Sequence, residues 1–498
     1  MGFGPHMFQH PEMVVLPFDL GDGMKISRDR FLKEYAAAIR NNDAAVFVGA
    51  GVSMSAGYPS WIGLMKEIGE ELGVQSKDVH DLAALAQWSL NANKGDQRVK
   101  DVINQLISPP KDTPAEAEVL ARLPIKNLWT TNYDQVIERA FHEIGRPIQP
   151  IANPKDLGRK PVEGSARLYK MHGSVTSLDD LVISTEDYEL FDTDRGAYLP
   201  LLQSHLTTSS MLFIGVSFVD PNIRHVLSVI RSRFKGSGRE HYAIIRPPQI
   251  DDFESEAEHQ ARLRQHELWA DDLHRYGLRV VEIDDFDEIK NLLEQLEREV
   301  AKSRIWVSGS WTLGTGDEKS VVSLSHAIGS DIAKRNYSLV TGYGLVVGSA
   351  TLAGFMDGLR DSGHWGVSER LFARPFPQPE QTKIDHQEQW RLLRTEMAQL
   401  AGAIVVVGGT KHNHEGSVIV ADGVLKEVEI GLERGKLIIP IGSTAGAAEK
   451  VAQQLIKMET HDSNGNRLRP DDADIEYLMR NDLSENEMVK KIFRIIEG

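Results

Sequence analysis

Two residues of this chain stand where a reacting group would be wanted. Asn132, in the run NLWTTNYD from Asn127 to Asp134, follows a short apolar segment that suits a buried strand. A carboxamide at the carboxyl end of a strand can hold a ribose hydroxyl or a water through paired donor and acceptor atoms. His172, in RLYKMHGSV from Arg167 to Val175, repeats the arrangement: imidazole can take a proton near neutral pH, and Gly173 after it leaves room for a substrate. A third segment, AAVFVGAGVSMSAGYPSW from Ala44 to Trp61, breaks from a β-branched and aromatic run into Gly49, Ala50 and Gly51. That is the pattern of a buried strand turning tightly toward a helix, where backbone N–H groups can approach a phosphate or pyrophosphate. Gly215 and Ser217 form a second such turn after Met211 to Ile214. Each feature also has a plain structural reading, since glycine serves any strand-to-helix turn, asparagine closes turns, and a lone histidine is commonly a packed or exposed bystander.

The elements that must position these residues are readable from periodicity. A helix from Ser27 carries Phe31, Tyr35 and Ile39 on one face with Leu32 and Ala36 beside them, and feeds the first strand. Leu64, Met65, Ile68 and Leu72 continue a helical face that Ser60 is placed to cap, Asp134 can cap the helix bearing Val136, Ile137, Ala140 and Phe141, and Asp220 with Pro221 marks a further helix start. Met1 to Lys25 has glycine, proline and no sustained period, which predicts a flexible arm or an edge extension. Ile250 to Lys302 reads as mostly helical, with Leu263, Leu268, Leu273, Ile289, Leu292, Leu293 and Leu296 among interleaved charges. From Arg304 a new rhythm begins, IWVSGSW, YSLVTGYGLVVGSA, AIVVVGGTKH and LIIPIGS, which predicts a second open α/β domain. Ser484 and Glu487 form a capping pair for a last helix with Met488, Ile492 and Ile496 on one face. Gly342, Gly344 and Gly348 miss the GxGxxG spacing by one residue, against a dinucleotide oxidoreductase. Arg374, Arg391, Arg394 and Lys411 fall where they could neutralise phosphates, and Glu427 where it could hold a ribose or base; any of the arginines could equally be solvated surface.

Composition excludes several classes. The 498 residues are too many for one ordinary core, so two or three domains are expected. A formal charge of −16 argues against a general nucleic-acid or anionic-membrane binder. The chain has no cysteine, which removes disulfides, thiolate nucleophiles and every cysteine zinc site. No apolar run approaches the ~20 residues of a membrane span and no leader pattern opens the chain, so the expected location is the cytoplasm.

GAGVSMSAGYPSW, TTNYD, KMHG and GVSFVDPN, in this order, resemble the NAD-binding core of Sir2-like proteins over Ser27 to Lys302. The resemblance implies that Asn132 and His172 act on the ribose next to nicotinamide, that Asp134 helps hold the nicotinamide amide, and that Gly49, Ala50, Gly51, Ser53, Gly215 and Ser217 line the nucleotide. Two departures stand out: no cysteines for the four-cysteine zinc module, and Ser60 and Trp61 after Pro59 where deacylases carry aspartate, phenylalanine and arginine. Without an acyl-lysine the acceptor is water, and the expected reaction is hydrolysis of NAD to nicotinamide and ADP-ribose with no metal.

SGSW at Ser308 to Trp311, TGYGLVVGSA, RPFP from Arg374, QWRLLR and KEVE resemble the SLOG domain, a nucleotide-sensing fold. The expected organisation is an arm over 1–26, a Rossmann-like Sir2 domain without zinc module over 27–302, and a second Rossmann-like SLOG domain over 303–498. That order is similar to the NAD-consuming effectors of the Thoeris anti-phage system. The resemblance implies activation by a cyclic ADP-ribose isomer that a TIR-domain partner makes, a homotetramer, and sensing through Arg394, Lys411 and Glu427 with Ser308, Gly309 and Ser310 and the loop of Gly342, Gly344, Gly348 and Ser349 beside them. Two other classes stay open: a Sir2-like ADP-ribosyltransferase or deacylase acting on protein, and a scaffold that senses NAD without cleaving it.

Overall fold

The structure, a computed structural model, describes residues 25–160, 162–218, 223–225, 227–228, 239–363, 366–376, 386–413, 415–463 and 465–497. Residues 1–24 of the expected arm, and Asp220 and Pro221, lie outside them. The chain divides into two compact units, before and after the Glu294–Gln295 bond. Among the described residues no helix is long and apolar enough to cross a membrane.

The strands of the first unit are β1 (Ala44–Val48), β2 (Asn127–Thr130), β3 (Ile148–Ile151), β4 (Ala166–Lys170), β5 (Ser210–Ile214), β6 (His241–Ile245) and β7 (Leu278–Glu282). They form one sheet in the order β3-β4-β2-β1-β5-β6-β7, with every pairing parallel. All five residues of β1 and all five of β5 are buried, as expected of strands covered on both faces. The chain leaves β1 through β2, reaches the β3 edge, returns to β4, and then crosses to β5 on the other flank of β1. The topological switch therefore lies at β1, and a crevice opens beyond the carboxyl ends of β1, β2 and β5. Gly49, Asn132, His172 and Gly215 all follow strands at that end.

The outer edges are blunted. β3 carries Pro150, which has no amide to offer a further strand, and beyond β7 the Ile26 amide donates to the Val280 carbonyl at 3.1 Å. The feeding helix, Arg28–Arg40, is capped by Ser27, buries Phe31, Leu32, Tyr35, Ala36 and Ile39, and is pinned to β1 by the Tyr35 hydroxyl, which donates to the Ala45 carbonyl at 2.6 Å. Ser60 caps as expected, but the helix it opens is interrupted at Met65, giving Trp61–Leu64 and Lys66–Glu71 in place of one continuous face. The stretch from Ile250 is mostly helical, as its charge pattern predicts, with one strand inserted. Strand β7 runs between helices Glu256–His274 and Glu288–Ala301, and its Arg279 pairs with Glu240 at 2.7 Å. Leu268 is exposed; that helix buries His266, Ala270 and Leu273.

The second unit holds β8 (Arg304–Ser310), β9 (Ser338–Thr341), β10 (Leu371–Ala373), β11 (Ala403–Gly408) and β14 (Leu437–Ile441) in the parallel order β10-β9-β8-β11-β14. A hairpin, β12 (Thr410–His412) and β13 (Val418–Val420), follows β11. The switch here lies at β8, flanked by β9 and β11. Edge strand β14 contains Pro440, and edge strand β10 has only three residues. The last helix, Glu485–Glu497, has the Ser484–Glu487 capping pair, and its buried residues Val489, Ile492, Phe493 and Ile495 are flanked by half-buried Met488 and Ile496.

In the first unit the two glycine turns fold against one another. The Gly49 amide donates to the Ile214 carbonyl at 2.8 Å and the Gly51 amide to the Gly215 carbonyl at 3.0 Å. A Cβ on Gly49 would lie 2.3 Å from the Gly215 carbonyl oxygen, and Gly215 itself has φ +66°. The glycines are thus demanded by the meeting of the turns, and two of the amides expected to face a phosphate are bonded within the protein. Gly49→Ala is expected to destabilise the chain by about 1–3 kcal/mol through forced backbone displacement. Gly95→Ala, with open space around the site, should stay within about 0.5 kcal/mol; denaturant unfolding of both variants compares them.

Candidate functional site

The end of β2 is held to the first turn by one side chain. Asn132 Nδ2 donates to the Gly49 carbonyl at 2.9 Å and to Ser53 Oγ at 2.8 Å. A carbonyl can only accept, so the amide nitrogen must face Gly49 and both its hydrogens are engaged. Oδ1 is the atom left to accept from a water or hydroxyl. The paired donor and acceptor expected of this carboxamide are therefore reduced to an acceptor.

Ser53, buried in the helix Ala50–Ser55, passes the constraint on: its hydroxyl donates to Asp134 Oδ2 at 2.5 Å. The other carboxylate oxygen of Asp134 accepts the Val136 amide at 2.9 Å and so fastens the first turn of helix Val136–Glu143. The N-cap position is Gln135, so Asp134 stands one residue before the cap expected of it and holds the Val136 amide from there; Ser53 meets Asn132 and Asp134 where it was expected to line a nucleotide. Below them Lys170, the last residue of β4, is buried and contacts the Asp134 carbonyl and Glu138 Oε1, the latter at 2.8 Å.

His172 comes to the same level. Thr130 of β2 pairs with Lys170 of β4, so Asn132 and His172 each lie two residues beyond one register pair on adjacent strands. The imidazole is buried, with the Tyr188 ring edge-on at 5.4 Å and Phe191 at 6.2 Å. Gly173 has φ +86°, and a Cβ there would meet the Asp180 carbonyl at 2.4 Å, so its place after the histidine is set by the loop returning over it. Ala50 and Ser217 are exposed at the crevice, Ser217 two residues past Gly215.

In the second unit three of the expected residues converge. Ser308 Oγ, on β8, donates to Glu427 Oε2 at 2.5 Å, and Arg394 Nε lies 3.8 Å from Glu427 Oε1. All three are buried, and among the described residues Arg394 Nε has no hydrogen-bond partner. The guanidinium lies over Phe376 at 5.0 Å and Trp390 at 6.0 Å, aromatic partners that a reading for charged residues misses although both flank the basic motifs. Burial pushes the Glu427 carboxyl from 4.5 up to about 7, against the opposing pull of Ser308 and Arg394.

Lys411, on β12, is half-exposed and paired with Asp422, the first residue of the helix Asp422–Glu433 that carries Glu427. Ser310 Oγ donates to the Thr410 carbonyl at 3.0 Å, which ties β8 to the hairpin. The loop from Gly342 lies on the end of β8: a Cβ on Gly344 would fall 1.9 Å from the Gly309 carbonyl oxygen, and the Trp311 amide donates to Leu345 at 3.0 Å. Tyr343 and Val346 in this loop have φ +62° and +66°, a conformation β-branched valine rarely takes. Gly348 and Ser349, expected in this loop, lie instead in the first turn of the helix Val347–Asp361; Gly348 packs on Tyr343, and Ser349 Oγ donates to the Val346 carbonyl at 3.0 Å. Arg374 is turned to Glu396 at 2.7 Å, and Arg391 pairs with Glu388 on an exposed helix face, apart from the buried cluster.

Comparison with known proteins bears on both units. The family model described as Sir2- and TIR-associating SLOG family matches residues 288–498, and that of the SIR2-like domain matches 126–271. NAD(+) hydrolase ThsA of Bacillus cereus (strain MSX-D12) is 32% identical over 421 residues, 84% of this chain and 87% of that protein. NAD(+) hydrolase ThsA of Enterococcus faecium is 31% identical over 479 residues, covering 93% and 97%. A third, of Cytobacillus dafuensis, is 29% identical over 483 residues, covering 95% and 97%.

The raised Glu427 carboxyl has a consequence for stability. A folded-state pKa above the unfolded value means that the stabilisation is present below about 4.5 and is lost as pH rises through about 7. Glu427→Gln keeps a partner for Ser308 and removes the titration. Relative to the parent it is expected to gain stability between about pH 5 and about pH 8, on the order of 3 kcal/mol, read by denaturant unfolding at the two pH values; a pH-independent difference would contradict the burial argument.

Proposed function

Because this chain belongs to the family of NAD(+) hydrolases named ThsA, we propose that its first unit hydrolyses NAD to nicotinamide and ADP-ribose. Water adds through its oxygen to C1′ of the nicotinamide ribose, the C1′–N bond breaks with its electron pair going to nicotinamide, and one proton leaves the water. Nicotinamide departs neutral from a cationic precursor, so no strong acid is needed; positioning and stabilisation of an oxocarbenium-like transition state carry the barrier reduction. Asn132 accepts a hydrogen bond at Oδ1 from the water or a ribose hydroxyl, and His172 takes the proton. Asp134 and Ser53 hold Asn132, and Gly49 to Gly51, Gly215 and Ser217 border the dinucleotide.

The observation that carries this reading is the engagement of both Asn132 amide hydrogens, at 2.9 and 2.8 Å, which leaves one fixed acceptor at the switch point of a parallel sheet. A scaffold that only binds NAD has no need of an acceptor held so firmly beside a histidine.

The second unit serves as the sensor in this reading. A cyclic ADP-ribose isomer made by a TIR-domain protein binds at Arg394, Lys411 and Glu427, with Ser308 to Ser310 and the Gly342–Ser349 loop around it, and turns hydrolysis on in a homotetramer during anti-phage defence. Support comes from the match to a SLOG family associated with Sir2 and TIR domains, and from the unsatisfied Nε donor of Arg394 at the centre of the cluster. Control of this kind requires the isomer to favour the active arrangement over the inactive one, since equal affinity for both shifts nothing.

The test is incubation of the purified chain with NAD, with and without cyclic ADP-ribose isomers, followed by mass spectrometry of the products. Free ADP-ribose and nicotinamide are expected, mainly with one isomer; ADP-ribose attached to protein would point to transfer instead. Asn132→Ala and His172→Ala are each expected to lower turnover by about 10²–10⁴-fold while the chain stays folded. Arg394→Ala is expected to abolish the response to the isomer, and an unchanged activation curve would remove Arg394 from the sensing site.

A further inference from the structure

Two arginines of the first unit have the same hydrogen-bonding chemistry in different places. Arg146 donates to the carbonyls of Ala121, at the end of helix Ala115–Arg122, and of Leu123 and Ile125 in the connection from it to β2, at 2.8 Å for the first and last. Arg195 donates through Nη1 to the Ala152 carbonyl at 2.9 Å and the Met171 carbonyl at 3.2 Å, and through Nη2 to the Asp180 carbonyl. Arg195 is only 6% exposed. These acceptors are all main-chain oxygens, drawn from the end of β3, the end of β4 and the loop after Ser177. A guanidinium can serve three such segments because its donors lie in one rigid plane, which a lysine ammonium cannot reproduce.

The carbonyls that Arg195 holds bracket His172. Met171 immediately precedes it, so the plane of the peptide entering the histidine is fixed by Nη1. On the leaving side the His172 carbonyl accepts the Val182 amide at 3.0 Å, and Asp180 is the residue whose carbonyl lies against Gly173. The short helix Phe191–Asp194, which ends at Arg195, also presents Phe191 to the imidazole at 6.2 Å. One side chain thus joins the strand that brings His172, the loop that covers it and the helix that packs on its ring.

We propose that Arg195 is a positioning residue for the reaction at His172, fixing the imidazole through the Met171 and Asp180 carbonyls without touching the dinucleotide. The proposal rests on the NAD-hydrolase reading for its kinetic consequence and on the clamp alone for its structural one. The two are separated by measuring turnover and hydrogen exchange of the segment 171–182 in the full chain for Arg195→Gln, Arg195→Lys and Arg146→Gln. Arg195→Gln is expected to lose about 10–100-fold in kcat with KM for NAD within about threefold, and to exchange at 171–182 about tenfold faster. Arg195→Lys, which keeps charge without the fork, should behave the same way and carries the test if the glutamine variant does not fold. Arg146→Gln should lose comparable thermal stability yet keep kcat within about twofold and leave exchange at 171–182 unchanged.

Parent-like kcat in both Arg195 variants would overturn the proposal, as would an equal loss of kcat in Arg146→Gln, which would report general destabilisation. A parent protein that fails to cleave NAD under any condition would refute the hydrolase reading. The exchange comparison would still decide the clamp, which is overturned if 171–182 is as protected in the Arg195 variants as in the parent.

Discussion

The hydrogen bond from the Asn132 carboxamide to the Gly49 carbonyl joins two strand ends that would otherwise be independent loops. Beneath it the chain of contacts runs through Ser53 to Asp134, then to the first turn of the helix after β2 and to buried Lys170. Ser53, Asp134 and Lys170 are buried and Asn132 is half-buried; at the buried members an unmade hydrogen bond costs about 1–3 kcal/mol, so the network is formed as a whole or poorly. The Gly49 carbonyl can be offered to Asn132 only because the Gly49 amide is already fixed on β5. The geometry of the crevice therefore descends from the packing of one glycine turn on another.

The second unit solves a related problem by a different device. Arg394 and Glu427 are both buried but stand 3.8 Å apart rather than in a close pair, and the carboxylate takes its short contact from Ser308. Aromatic faces from Phe376 and Trp390 cover the guanidinium without satisfying its Nε. A cation left with an open donor and a carboxyl shifted toward neutrality form a site whose internal pairing is incomplete. Lys411, by contrast, already has Asp422 for a partner, so any phosphate it meets must compete with that carboxylate.

The parts of this architecture legible in the sequence are those where burial leaves a continuous apolar run. β1, β2, β5, β8, β9, β11 and β14 run into glycine, serine or asparagine within two residues and can be read directly, as can the caps at Ser60 and Ser484. β10 and β7 are harder: LFA has three residues, and LRVVE lies between two charged helices, so local composition favours helix while pairing at the sheet edge decides otherwise. At the site, Asn132, His172 and Asp134 could be singled out by type and place. Their hydrogen-bond partners could not, because whether an asparagine donates or accepts depends on which carbonyl a distant turn presents. Lys170 and Arg195 were hidden for another reason. Charged residues are normally solvated, and only the tertiary structure shows these two buried against carbonyl oxygens.

The blunted sheet margins constrain how copies of this chain can associate. Pro150 and Pro440 interrupt the amide rows of β3 and β14, the Lys25–Ile26 segment occupies the far side of β7, and β10 is too short to template a partner. Strand addition across these margins is disfavoured at all four. Any association of copies must then leave these two ladders unextended and use other surfaces, the helices, the loops or the exposed β12–β13 hairpin. Such an assembly can change its arrangement while both sheets stay intact.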